Sequence, residues 1–287
     1  MRRFEYHEPA TLEEAVALLG RHGGAASVLA GGTDLLVEIK EQLRRPQHVV
    51  NIKKIPGIDS FDYDEEKGLR IGALVTARAI ETAPIALSKY PGLAQAAREL
   101  GSIQIRNRAT LIGNVCRASP SADTLPPLIA DRARAKLYGR GGERTVELEH
   151  FFTGPGQTLL APDELVVELI LPAPAAHTGK VYIKHGRRKA MELATVGVAV
   201  TLTIEGGRCH DVSLVLGAVA PTPIRARSAE DALRGKAADD EHIASAARAA
   251  RLEARPISNV RASADYRSEM VEVLTRRALE KARELAR

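Results

Sequence analysis

Two short segments carry residue types that can hold an anionic ligand. Ala30-Gly31-Gly32-Thr33-Asp34 ends an apolar run, and Thr110-Leu111-Ile112-Gly113-Asn114 sits within IRNRATLIGNVCRASPSADTLPP. Glycine lets a backbone turn tightly and lets a ligand approach its N–H groups. A loop running from a buried strand into a helix start presents free N–H groups and the positive end of the helix dipole, both of which favour phosphate. Two such loops can hold a pyrophosphate between them, which points to a nucleotide cofactor. Taken singly, each also reads as a tight turn that binds nothing. The first is no dinucleotide fingerprint, lacking the G-x-G-x-x-G spacing, and no P-loop, lacking a following Gly-Lys-Ser/Thr. The second is followed by Ser119, Ser121, Asp123 and Thr124. Their hydroxyls and carboxylate can bond ribose or ribityl hydroxyls, although Ser, Pro and Asp are equally ordinary turn formers. Asn114 offers an amide to a ligand or to a turn.

An α/β frame must position these segments. Thr11 with Glu14 three residues on makes a capping-box pattern, and Leu12, Ala15, Val16 and Leu19 give the next helix one apolar face. Gly23-Gly24 can end it. Residues 27–30 read as a buried strand. Thr33 or Asp34 then caps a second helix with Leu35, Leu36, Ile39 and Leu43 on its face, stopped by Pro46, and 48–52 form the next strand. A second unit holds a strand over 69–74, a helix from Ala77 capped by Thr76, and a helix from Pro91 through Leu100 that Gly101-Ser102 breaks. Residues 125–130 read as a buried turn or short helix, 134–138 and 144–148 as a hairpin, and 165–171 as a strand closed by Pro172-Ala173-Pro174. Beyond lie strands over 181–184, 193–204 and 212–219, the last two joined at Gly206-Gly207. Helices follow over 241–255 and 265–286, the second with Met270, Val271, Leu274, Ala278, Ala282 and Leu285 on one side. Strands followed by helices argue an α+β layer. The expected division is 1–55, 56–175 and 176–287.

At 287 residues, with 45% hydrophobic and 27% charged content, the chain can build packed cores. Aromatics make up 3% with no Trp, so those cores must be aliphatic, and the stacking platforms of single-strand nucleic-acid binders are lacking. The net charge of +5 is spread along the chain, with clusters at Arg187-Arg188-Lys189 and Arg276-Arg277. Such clusters suit a solvated surface, an acidic partner subunit or an anionic cofactor. Cys116 and Cys209 form no CxxC pair, so no iron–sulfur or zinc framework is expected, and the eight histidines look scattered, without metal-ligand spacing. No apolar run nears the roughly 20 residues of a membrane span. The start MRRFEYHEPATLEEA lacks a signal-peptide core. A cytoplasmic protein that neither spans a membrane nor binds nucleic acid is expected.

The chain resembles the FAD-binding medium subunits of the molybdenum hydroxylases, such as xanthine dehydrogenase, aerobic carbon monoxide dehydrogenase and 4-hydroxybenzoyl-CoA reductase. The resemblance rests on AGGTDLL, IRNRATLIGNVCRASPSADTLPP, TLLAPDELVVELILP, LVLGAVAPTPIRA and PISNVRASADYR, in that order over nearly the full length. It implies a two-lobed FAD-binding domain of the vanillyl-alcohol-oxidase type, followed by a smaller α+β domain of antiparallel strands and helices. It implies that Ala30, Gly31, Gly32, Thr33 and Asp34, with Thr110, Leu111, Ile112, Gly113 and Asn114, hold the FAD pyrophosphate. By the same resemblance Ser121 and Asp123 bond the cofactor, Leu165 or Val166 packs near the flavin ring, and Lys184 lies close to the isoalloxazine.

The implied function is electron transfer. A large partner subunit carries molybdopterin and oxidises the substrate, and a small one carries two two-iron two-sulfur clusters. FAD passes the electrons to an external acceptor such as NAD, oxygen or a quinone, in an assembly expected to be a dimer of heterotrimers. No catalytic side chain and no metal are assigned to this chain. Two departures stand out. Relatives commonly read Thr-Ile-Gly-Gly-Asn in the second segment, whereas Ile112 stands where the first glycine does. A β-branched residue resists positive φ, so either that position is not left-handed or the loop has shifted. The cysteine count also leaves no room for the extra cluster of the 4-hydroxybenzoyl-CoA reductase type. Thr33-Asp34 sits nearer the purine and aromatic hydroxylase branch. The alternatives are a flavin-free structural subunit and a stand-alone flavin oxidase.

Overall fold

Parallel pairing of the first strands builds the frame that carries the first glycine segment. The computed structural model describes residues 3–286. β1 (Glu5–His7), α1 (Leu12–His22), β2 (Ala26–Leu29), α2 (Leu35–Lys40) and β3 (His48–Asn51) form a sheet of order β1-β3-β2, both pairings parallel. Thr11 caps α1 as its pattern predicts, its Oγ1 accepting the Glu14 N–H at 3.2 Å; the Glu14 carboxylate takes the Ala10 N–H instead of that of Thr11. Gly23, at φ 49°, closes the helix onto Leu19 O. Helix α2 departs from expectation. It ends at Lys40, well before Pro46, and neither Thr33 nor Asp34 caps it with a side chain. Leu36 faces solvent from within the helix, 43% exposed, and Leu43, 79% exposed, lies beyond Gln42, whose φ of 61° turns the chain out of the helix.

The middle of the chain closes an antiparallel sheet around a run of short helices. β4 (Phe61–Asp64) and β5 (Gly68–Gly72) lead into α3 (Ala77–Thr82), α4 (Pro84–Lys89), α5 (Pro91–Glu99), α6 (Ile103–Arg106), α7 (Leu111–Arg117) and α8 (Leu125–Ala130). The chain returns through β6 (Arg134–Gly139), β7 (Gly142–Glu147), the small pair β8 (Phe152–Gly154) and β9 (Gln157–Thr158), and β10 (Leu165–Leu171). The main sheet has the order β4-β5-β10-β6-β7. Thr76 caps α3 as expected. Residues 125–130 resolve as a helix with Pro126 and Pro127 in its first turn, where a missing N–H costs nothing. The segment expected as a second glycine loop is instead the start of α7.

β11 (Thr178–His185), β12 (Val196–Glu205), β13 (Arg208–Gly217) and β14 (Ile224–Arg225) then pair antiparallel in sequence order, followed by α9 (Arg227–Leu233), α10 (Asp240–Glu253) and α11 (Ala264–Leu285). Gly206 and Gly207 carry φ 55° and 77°, the two positive values that a tight hairpin of type I′ needs. The sheet serves two cores. Val198, Val200, Leu214 and Leu216 pack with Val271, Leu274 and Ala278 of α11, while Tyr182, Ala199 and Val215 join the core beneath β10. Lys180 and Thr201 both bond Asp131 at 2.8 Å, closing that seam. The class is α+β, an N-terminal portion of two lobes followed by a smaller antiparallel sheet with helices.

Candidate functional site

The two glycine segments meet. Gly31 lies so close to the backbone of Arg108 that a Cβ on it would meet Arg108 O at well under the 3.0 Å that real Cβ contacts respect. Gly32 turns the chain at φ 78°, a region L side chains rarely enter. A second clamp joins the helices behind them, since Arg117 on α7 pairs with Glu38 on α2 at 2.9 Å. The N–H groups of Gly31, Gly32, Thr33 and Asp34 make no hydrogen bond to the protein among the described residues, nor does the Thr33 hydroxyl. This is a row of free donors around a cradle that a side chain would fill. It suits a pyrophosphate without further adjustment.

The second segment differs from the loop expected of it. Thr110 is the N-cap of α7, its Oγ1 accepting the Gly113 N–H at 3.1 Å, and Leu111, Ile112 and Gly113 form the first helical turn. A Cβ on Gly113 would press on that Thr110 oxygen, which accounts for the glycine. Ile112 is helical, not left-handed, and is buried at 4% exposed with Leu111 and Val115. Its departure from the family pattern therefore leaves the turn intact. The Ile112 N–H stays free at the helix start. Asn114 accepts the Thr124 hydroxyl at 2.7 Å through its amide oxygen, which leaves the amide NH2 to donate outward.

Asp123 and Lys184 extend this wall into the C-terminal sheet. The buried Asp123 carboxylate accepts the Tyr182 hydroxyl and the Lys184 ammonium, both at 2.8 Å. Burial pushes its pKa up to about 6, against the opposing pull of Lys184 and Tyr182. Lys184 also donates to Glu99 O at 3.2 Å and Glu192 O at 2.7 Å. All three of its protons are thus engaged within the protein, so Lys184 can act on a ring through its charge but not as a hydrogen-bond donor. Each Asp123 oxygen keeps a second lone pair. The Ser121 hydroxyl has no protein partner among the described residues. Leu165 and Val166 lie in β10, 5% and 4% exposed, as part of the main core.

Sequence reasoning missed several members of this arrangement. Tyr182 had an available signal, because a strand places it on the same face as Lys184. Lys53 and Arg108 had none, since they converge only in the fold. Neither makes an ion pair among the described residues, and the Lys53 pKa is lowered by burial first and by the nearby Arg108 second. Arg108 adjoins Gly31 through its backbone, and its charge together with that of Lys53 favours an anion nearby. Cys116 on α7 packs against one core and Cys209 on β13 lies in the other. The histidines are another matter. His7, His22 and His48 converge, contrary to the scattered arrangement expected. A cleft of about 630 Å3 between α5, β11 and α11 lies apart from the glycine segments.

Comparison with known proteins identifies the family and the fold. The FAD-binding domain model of molybdopterin dehydrogenases matches residues 2–174, and the C-terminal domain model of the carbon monoxide dehydrogenase flavoprotein matches 181–282. The chain is 37% identical to the carbon monoxide dehydrogenase medium chain of Hydrogenophaga pseudoflava, covering 96% of each. It is 32% identical to a putative xanthine dehydrogenase FAD-binding subunit of Escherichia coli, covering 96% of this chain and 95% of that one. Among solved structures, a carbon monoxide dehydrogenase from H. pseudoflava lacking the Mo-pyranopterin moiety superposes with a TM-score of 0.95 at 38% identity, covering 99% and 98% of the two chains. Quinoline 2-oxidoreductase from Pseudomonas putida gives 0.91 at 30% identity, covering 99% and 98%.

Proposed function

The chain belongs to the FAD-binding medium subunits of the molybdenum hydroxylases, and from that premise we propose that it relays electrons from the iron–sulfur clusters of a partner subunit, through FAD, to an external acceptor. Bound FAD supplies the step between single electrons and electron pairs. The residues of this chain bind and orient it.

The free N–H groups from Gly31 to Asp34 and that of Ile112 receive the pyrophosphate, with the Asn114 NH2 alongside. Lys53 and Arg108 offset its charge. The Ser121 hydroxyl and the remaining lone pairs of Asp123 bond ribityl or ribose hydroxyls. Leu165 or Val166 contributes the apolar surface beside the ring. Lys184, held by three acceptors, sets a fixed positive charge near it, which favours the electron-rich form and raises its potential. The partners are a molybdopterin-bearing large subunit and an iron–sulfur small subunit, assembled as a dimer of heterotrimers in the cytoplasm. The acceptor is of the NAD, oxygen or quinone kind. No helix among the described residues is long and apolar enough to cross a membrane.

One observation carries the reading: Gly31 seated against Arg108, with unpartnered donors around it. The test is co-expression with the neighbouring genes, followed by flavin absorbance and subunit analysis of the purified protein. One FAD per chain, together with co-purifying iron–sulfur and molybdenum subunits, is expected. A colourless chain that takes up no added FAD would overturn it.

A further inference from the structure

Three histidines from three different elements meet at the far end of the N-terminal lobe. His7 ends β1, His22 ends α1 and His48 begins β3, and one ring nitrogen of each lies within 4.8 Å of the others. His7 Nε2 and His48 Nδ1 are 3.1 Å apart. That is close to the roughly 3.3 Å between two nitrogens sharing one tetrahedral zinc at about 2.0–2.1 Å. The His22 and His48 rings stack with centroids 3.5 Å apart, so one of them must rotate to turn its in-plane lone pair onto a shared ion. Glu5, paired with His48 in the β1–β3 register, brings Oε2 to 3.3 Å from His48 Nδ1 and 3.9 Å from His7 Nε2. Apart from one another and Glu5, the three rings have no polar partner among the described residues.

We propose that His7, His22 and His48, with Glu5 as a fourth donor, form a binding site for one zinc-type divalent ion. Three imidazoles and a carboxylate are the donor set of zinc and late first-row ions, whereas magnesium and calcium take all-oxygen shells and copper(I) takes thiolate or thioether. The rings must be neutral to bind.

The site stands apart from the flavin machinery. His48 opposes Ala26 at the start of β2, while the first glycine segment follows Leu29 at the other end of that strand. The separation is roughly 10 Å at about 3.3 Å per residue. An ion here would pin β1, the end of α1 and the start of β3 together, stapling the lobe from the side opposite the cofactor.

The test uses the full-length chain with its FAD, freed of any affinity tag, stripped with a chelator and titrated with Zn2+ by calorimetry and with Co2+ by visible absorption. The expected result is one ion per chain, the intense visible bands of tetrahedral cobalt, and a raised melting temperature with Zn2+. H22Q and H48Q each weaken binding by more than about 100-fold, since losing an outer partner alone costs about 10–100-fold. Flavin content stays unchanged. H22Q alters only the end of α1, so it carries the test if H48Q fails to fold. Wild-type binding no tighter than that of H22Q, or cobalt spectra without tetrahedral bands, would overturn the proposal and leave a stack of imidazoles only.

Discussion

Gly31 and Arg108 touch through backbone alone, a glycine Cα against a carbonyl oxygen, with no room for a methyl group between them. The contact joins the two parts of the chain that carry the proposed cofactor donors. Gly31→Ala must therefore part the segments. The expected outcome is a folded chain with most of its FAD lost, read as the flavin-to-protein absorbance ratio. Gly113→Ala presses only on the Thr110 hydroxyl, which can rotate away. It should retain FAD and lose about 1 kcal/mol of stability with the weakened cap.

Ile112 invites the opposite experiment, introducing the glycine that the family resemblance leads one to expect there. Its side chain is buried in a helix. Ile112→Gly should lower stability by about 3–5 kcal/mol, combining a core cavity with helix-interior glycine, and should not tighten FAD. Urea unfolding and FAD titration read the two effects separately. Tighter FAD binding in the variant would show that the position is conformationally strained.

Asp123 and Lys184 form an ion pair in which both side chains are under 10% exposed. Removing one partner strands the other. Lys184→Met, which leaves the buried carboxylate without its cation, is expected to cost about 3–5 kcal/mol at neutral pH, Asp123→Asn clearly less because its neutral amide resembles the protonated carboxyl that burial favours, and the double variant less than the sum. A double-mutant cycle by chemical denaturation measures that coupling. Additive losses would mean that the two charges stabilise the fold independently.

The same carboxyl gives a pH signature. The unfolded group ionises near 3.8 and the folded one near about 6, raised by burial. Between these values the folded state holds the extra proton, so stability falls as pH rises and levels off above about 6. The span corresponds to about 3 kcal/mol. Because Asp123→Asn cannot titrate there, the gap between wild type and this variant should narrow from pH 4 to pH 6. A gap that widens would place the folded pKa below that of the unfolded chain.

Local signals in the sequence were strong wherever an element depends on its neighbours in the chain. The Thr11 cap, the Gly206-Gly207 turn and the α11 stripe through Val271, Leu274 and Ala278 are set by side chains within a turn or two, and they appear where their patterns place them. Helix α7 was hidden because glycine and asparagine in its first two turns resemble loop composition; the Thr110 cap and the burial of Ile112 overrule that propensity. Helix α2 was overextended because Leu43 fits a helical stripe, and nothing nearby announces that Gln42 turns left-handed. The pairing of Gly31 with Arg108, the approach of Lys53 and the histidine cluster arise from contacts distant in sequence, which no local pattern encodes.

The sheet of β11 to β13, with Tyr182 in one core and Val198 in the other, bears on how such subunits can be recombined. A chimera joined in the proline-rich stretch at 172–174 would take Tyr182 and Lys184 from one parent and Asp123 from the other. The two halves can be exchanged only between relatives whose seam residues match. Along this chain, the boundary of inheritance and the boundary of cooperative folding do not coincide.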